Sequence, residues 1–201
     1  MLSLLLAMAG PGQTAVDAER AFARAAQSKG QWTAFREFMT DDAIMFSPEV
    51  VKAKDSLPDK NPPIAVQWWP AESYVACDGS AAVNTGPWVR PRSSGYFTTV
   101  WLKQPDGGWK WSLDHGDGLT RPRPLPENPQ VRTASCGFQR SSNANFKTMA
   151  DWAGPTRGKS KDGTLLWEWD VKPDGARTFD AWIWNGRSLD RVVHDVIAPP
   201  K

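Results

Sequence analysis

The stretch GYFTTVWLKQPDGGWKWSLDHGDG, residues 95–118, alternates apolar and polar side chains on both sides of Pro105-Asp106-Gly107-Gly108. Alternation marks a strand with one face on a core, and a short Pro/Asp/Gly break between two such runs marks a hairpin. Counting outward from a four-residue loop pairs Gln104 with Trp109, Leu102 with Trp111, Val100 with Leu113 and Thr98 with His115. His115 is then expected on the apolar face with Val100, Trp111 and Leu113. Asp114 takes the other face with Thr99, Lys110 and Ser112, because successive side chains leave a strand in opposite directions.

The same period of two runs upstream. IAVQWWPAESYVAC (64–77) and SAAVNTGPWVR (80–90) flank Asp78-Gly79, a strong hairpin signal that sets Tyr74 opposite Val83. Before residue 64 the period is helical. VDAERAFARAAQS (16–28) carries Phe22, Ala25 and Ala26 on one stripe, with Gly30 past its end. WTAFREFM (32–39) places Trp32, Phe35, Phe38 and Met39 at helical spacing. A short strand is expected at Ala43–Phe46, and Pro-rich 48–63 reads as a loop with room for a helical turn. Helices segregated from antiparallel strands make an α+β layer architecture.

Downstream, Pro122, Pro124, Pro126 and Pro129 make 117–134 a stiff extended linker. A short strand near Ala134–Arg140 and a helical turn near Asn145–Trp152 follow. TLLWEWDV, ARTFDAWIW and SLDRVVHDVI then read as three strands. A two-residue Asn185-Gly186 turn sets Trp184 opposite Arg187, Trp182 opposite Leu189 and Asp180 opposite Arg191, with Asp170 meeting Arg177 and His194 also opposite Arg177. One face of this meander gathers Leu165, Trp167, Trp169, Trp182, Trp184, Leu189 and Val193. Left wet it would aggregate, so it must pack on the first domain, on a second copy of the chain, or on a ligand. The chain divides into a leader-like segment 1–9, an α+β domain 10–117 and a β-rich extension 118–201.

A formal charge of +2 over 201 residues, with Lys and Arg scattered, argues against a nucleic-acid partner. The apolar run Leu2–Met8, followed by an A-x-A-like site, reads as a secretory signal; export to the periplasm or beyond is the expectation, a cytoplasmic protein the alternative. Nothing else approaches a membrane span of about 20 apolar residues. Cys77 and Cys136 are expected as two independent thiols in preference to a bridge, and their spacing does not suit a metal. No glycine-rich phosphate loop, nucleotide motif or Ser-His-Asp spacing occurs, so no cofactor is called for.

The helical AERAFARAAQSKGQWTAFREFMTDDAIMF (18–46) and the hairpin around 95–117 resemble the nuclear-transport-factor-2-like (NTF2-like) superfamily, in particular its SnoaL-like proteins and related domains of unknown function. Phe97, Thr98, Val100, Trp101, Lys103, Gly108, Trp109, Trp111, Asp114 and His115 match its pattern xFTxVWxKxxGxWxIxxDH. The resemblance spans about residues 16–117. It implies helices packed on a strongly curved antiparallel sheet, a cone-shaped apolar pocket, and often a homodimer. Its members include isomerases, dehydratases, polyketide cyclases and epoxide hydrolases, so function must be argued from the site. Leu113 stands where some members carry a further His, and 118–201 has no counterpart; the extension could cover the face that members use to dimerise.

The candidate catalytic residues are His115 and Asp117, two positions apart and so on one side of the strand. A nearby carboxylate fixes a histidine's tautomer and raises its pKa toward the working pH. The plainer alternative is a strand-end histidine bonded to a carbonyl. Val100, Trp111, Leu113, Tyr96 and Trp88 are the candidate ligand-binding residues. No third ligand stands at metal-binding spacing. Three readings stand: a pocket protein for a small, mostly apolar molecule; an acid–base isomerase, dehydratase or cyclase using His115; and an interaction or glycan-binding module using the Trp-rich C-terminal face.

Overall fold

Thr14 and Asp17 start the first helix by exchanging hydrogen bonds. In this computed structural model, which describes residues 13–137, 152 and 154–200, Asp17 N donates to Thr14 Oγ1 (3.1 Å) and Thr14 N to Asp17 Oδ2 (3.2 Å). That box gives partners to amides that lack one inside the helix. α1 (Ala15–Lys29) ends at Gly30, whose φ of 98° few other residues adopt, and α2 (Gln31–Phe38) follows directly. Phe22 and Phe35 meet edge-on across the pair at 4.8 Å. The expected signal segment 1–9 and most of the turn expected at Asn145–Trp152 lie outside the described residues.

The helices cover one face of an open eight-stranded sheet. Its strands are β1 (Met39–Phe46), β2 (Val50–Lys52), β3 (Gln67–Trp68), β4 (Glu72–Val75), β5 (Ala81–Arg90), β6 (Ser93–Lys103), β7 (Trp109–Leu119) and β8 (Gln130–Thr133). A single-turn α3 (Ala53–Ser56) follows β2 inside the stretch read as a loop. The order is β2-β1-β7-β6-β5-β4-β8, with β3 also on β5. The sheet is mixed, where a wholly antiparallel one was expected. β1 runs parallel to β7, and β8 runs parallel to β4 because the proline linker reverses the chain before it reaches that edge. Of the strand expected at 134–140, residues 138–140 lie outside the described residues and 134–137 are not strand; the strand that forms lies earlier, at β8.

Pro70 splits the run read as one strand into β3 and β4, since proline has no N–H for the ladder. β5 passes both halves unbroken, and Gly86 makes this feasible: a Cβ there would lie 2.0 Å from the Trp69 carbonyl oxygen. Tyr74 pairs with Val83 as counted.

Two further deviations sit in the central hairpin. Its loop holds five residues, with Lys103 opposite Trp109, and a bulge at Ser112 restores Val100 opposite Leu113 and Thr98 opposite His115. Trp111 therefore pairs with Trp101 and faces the helices, while Leu113 faces away.

The extension forms a second sheet, order β12-β11-β10-β9, from β9 (Arg157–Lys159), β10 (Leu165–Val171), β11 (Arg177–Trp184) and β12 (Leu189–Ile197). It packs on the face of the first sheet opposite the helices. Leu165, Trp167, Phe179, Ala181, Ile183 and Val193 meet Tyr74, Val83, Val100 and Leu113 there. The second face of the first sheet is thus covered by the chain itself.

The register of the extension differs from the count. Asn185 Oδ1 accepts the amides of Arg187 and Ser188 (2.8 Å each), making a four-residue turn with Trp184 opposite Leu189. A bulge after Ala181 then sets Asp180 opposite His194, and Val171 rather than Asp170 opposes Arg177. The tryptophans divide accordingly: Trp167 enters the inter-sheet core, whereas Trp182 meets Trp152 on the other side, ring centroids 5.4 Å apart.

Cys77 and Cys136 form a disulfide with Cα atoms 5.2 Å apart, correcting the expectation of free thiols. The cause is β8. Its pairing with β4 continues as Ala134 N donates to Val75 O (2.8 Å), which brings residues 134–136 beside 75–77.

Candidate ligand cavity beneath the helices

Between the helices and the sheet lies a cavity of about 340 Å³. Six aromatic rings line it: Phe22 from α1, Trp32 and Phe35 from α2, Trp68 from β3, Trp88 from β5 and Phe97 from β6. Met45, Val66 and Gln31 complete much of the wall. The size and apolar lining are those of a small-molecule site.

Asp114 is the carboxyl set deepest in that wall. Thr99 Oγ1 donates to its Oδ2 at 2.7 Å. Protein surrounds Asp114, yet the residue keeps accessible surface, which the cavity supplies. Burial disfavours its charged form and pushes its pKa up to about 7, against the pull of the Thr99 hydrogen bond.

Glu19 of α1 stands nearby and is sealed. It accepts hydrogen bonds from Trp68 Nε1 (2.8 Å), Trp101 Nε1 (2.6 Å) and Asn84 Nδ2 (3.2 Å). Burial raises it to about 7; the three donors oppose the rise and the charge of Asp114 adds to it. Trp68 links the two environments, its ring on the cavity and its N–H on Glu19. At the rim, the Arg90 guanidinium stands 5.5 Å from the centroid of the Trp88 ring.

The expected site residues separate. The His115 ring leaves β7 on the second-sheet side and packs 4.9 Å from the Phe179 ring. Its side chain is 1% exposed against 6% for the whole residue, so His115 borders the cavity through its main chain. Burial lowers its pKa, against the pull of Asp195. Its carboxylate neighbour is Asp195 of β12, Oδ2 at 3.3 Å from Nε2 and poorly aligned for a hydrogen bond; it is not Asp117. Asp117 Oδ1 accepts the Gly118 amide (2.7 Å), and Asp117 interacts with Arg177. Val100 and Leu113 are sealed between the sheets and Trp111 under the helices. Trp88 lines the cavity with its ring, whereas the Tyr96 ring lies on the His115 side, 6.4 Å from that ring, and Tyr96 borders the cavity through its main chain.

Asp195 anchors a second polar group. Thr98 Oγ1 donates to it at 2.7 Å, and Arg123 of the linker donates both to it and to Thr85 Oγ1 (2.7 Å). The Arg123 guanidinium also lies 3.7 Å from the Tyr96 ring centroid. A larger hollow of about 580 Å³ sits under this linker, but Arg123 and Thr98 occupy the Thr85 and Asp195 oxygens on its floor.

Counting strand faces could not show Glu19 or Asp195. The helical period could have shown Glu19, because it falls on one stripe with Ala15, Phe22 and Ala26. Among the described residues, no three His, Cys, Asp or Glu side chains are grouped to hold a metal, and no helix is long and apolar enough to cross a membrane.

Helices over an open sheet, with an aromatic cavity between, make an α+β layered architecture. No family model matches the chain, and no curated protein matches it. Among solved structures it is similar to a ketosteroid isomerase-like protein from Parabacteroides distasonis (18% identity, 56% of this chain and 93% of that one, TM-score 0.43). It is also similar to an NTF2-like superfamily protein from Salmonella enterica (15% identity, 56% and 93%, TM-score 0.39). A third is a DUF3225-family protein of unknown function from Pectobacterium atrosepticum (15% identity, 52% and 89%, TM-score 0.37). At such identity and overlay, activity does not travel from them to this chain.

Proposed function

We propose that the protein binds a small, mostly apolar, ring-bearing molecule beneath α1 and α2. The supporting observation is the aromatic cavity of about 340 Å³ with Asp114 set in its wall. Ring stacking and burial would supply affinity, and one carboxyl would orient the ligand. Val66→Trp, which places an indole in the cavity wall, tests this. Quenching of tryptophan fluorescence by 2-naphthol should saturate in the wild type and vanish in the variant. Equal quenching in both would reject the site.

Acid–base catalysis is the second reading, favoured by a cavity carboxyl with a pKa of about 7. On this geometry the proton-transferring group is Asp114, with His115 and Asp117 supporting the strand around it. The Cys77–Cys136 bridge supports export to an oxidising compartment.

A further inference from the structure

We propose that the cavity selects an organic cation, an ammonium or quaternary ammonium group on a ring or short alkyl body. The inference rests on the cavity reading above and narrows its ligand class. Its first support is the wall. Trp32, Trp68 and Trp88 bring electron-rich rings around one space, and ring quadrupoles attract cations, more strongly where water is excluded.

Its second support is the charge inventory. The titratable residues that line the cavity are Arg90 of β5, Tyr96 of β6, and Asp114, His115 and Asp117 of β7. Glu19 faces Asp114 from α1, while α2 and β1 contribute Gln31, Trp32, Phe35 and Met45, none titratable. Arg90 is exposed and stands over Trp88, Asp117 has Arg177 beside it, and the Tyr96 and His115 rings are turned away. Asp114 and Glu19 therefore share one region without a basic side chain paired to either. Thr99 satisfies Asp114 Oδ2, and among the described residues no side chain or amide donates to Oδ1. A cation would neutralise this carboxyl where the protein supplies no counter-charge. Neutral ligands leave Asp114 its proton. Cationic ligands displace it, so binding and proton release are linked.

The test compares benzyltrimethylammonium with neopentylbenzene, its neutral isostere, on the whole protein. Calorimetry at pH 6 and pH 8 in buffers of different protonation heat reads affinity and proton release. Benzyltrimethylammonium should bind about tenfold more tightly than the isostere at pH 8. It should weaken at pH 6 while releasing protons, and a quaternary cation has no titration of its own to confuse the trend. Asp114→Asn should remove the preference and leave neopentylbenzene binding. The wild-type pH dependence serves by itself if that variant does not fold. Equal affinity for both probes with no proton release overturns the cation inference and leaves the apolar cavity standing. Failure of both probes to bind overturns the two together.

Discussion

Asp114 and His115 are adjacent in β7 and belong to different layers of the molecule. The carboxyl of Asp114 opens into the cavity under the helices, bonded to Thr99, while the imidazole of His115 lies between the two sheets, 3.3 Å from Asp195. The Asp-His dipeptide is thus two half-sites back to back. Each makes its own demand on pH.

On the cavity side, Asp114 and Glu19 both titrate near 7 in the folded chain, well above their ordinary values of 3.8 and 4.5. Between about pH 4 and 7 the native state holds protons that the unfolded chain has lost, so these groups make stability fall as pH rises through that window. Asp114→Asn should flatten the slope. Melting temperatures at pH 5, 6, 7 and 8 should show the variant gaining on the wild type at each step. Parallel curves would refute the assignment.

Between the sheets the sign reverses. Burial pushes Asp195 up, but His115 and Arg123 outweigh it and hold the carboxyl below its ordinary range. Its contribution is present above the unfolded value and is lost as pH falls through the native one. Asp195→Ala strands Arg123, Thr98 and His115, and should cost about 3–5 kcal/mol at pH 7 by urea denaturation. The deficit against wild type should shrink below pH 4. A cost under 1 kcal/mol would show that the cluster contributes little.

Joining Cys77 to Cys136 closes a loop over a sequence separation of 59. Loop-closure entropy makes such a bridge worth about 4 kcal/mol. Thiol titration of unfolded, unreduced protein should find no free thiol, and Cys77→Ser with Cys136→Ser should lower the urea midpoint. Two thiols per chain would contradict the bridge.

A chain stopped after Pro126 would leave Val83, Val100 and Leu113 without the second sheet. Light scattering should show this fragment self-associating, because the uncovered face is a contiguous apolar patch. A monodisperse fragment with an unchanged melting temperature would mean that the two sheets are independent.

The helices and the central strands were legible because their periods are long and the strand turns carry Asp-Gly chemistry. Residue faces were legible only where the ladder is regular. A five-residue loop and the Ser112 bulge each shift the count by one and cancel at His115, which left Trp111 misplaced and His115 correctly paired. The Trp-rich face was misread at the turn before β11: Val171 opposite Arg177 leaves five residues there where four were counted, and this one-residue shift puts Trp182 and Trp184 on the face opposite Trp167. Asp195 could not be foreseen, since its partners lie on strands far away in sequence. Glu19 was written in the helical stripe but hidden by its charge, because a carboxylate on an apolar face is the exception that periodicity counts against.

Thr98 and Asp195, joined by a 2.7 Å hydrogen bond, are separated by 97 residues of chain. During synthesis the first sheet can therefore be complete while its second face still waits for β12. For the time it takes the ribosome to add those residues, Thr98 and His115 have no carboxylate and the apolar face has no cover. Contacts of such long range are also the slow ones to form. The interval between the two halves of one buried cluster is thus a period of exposure, and a holding chaperone that recognises apolar β-surface would find this chain as a client in that window.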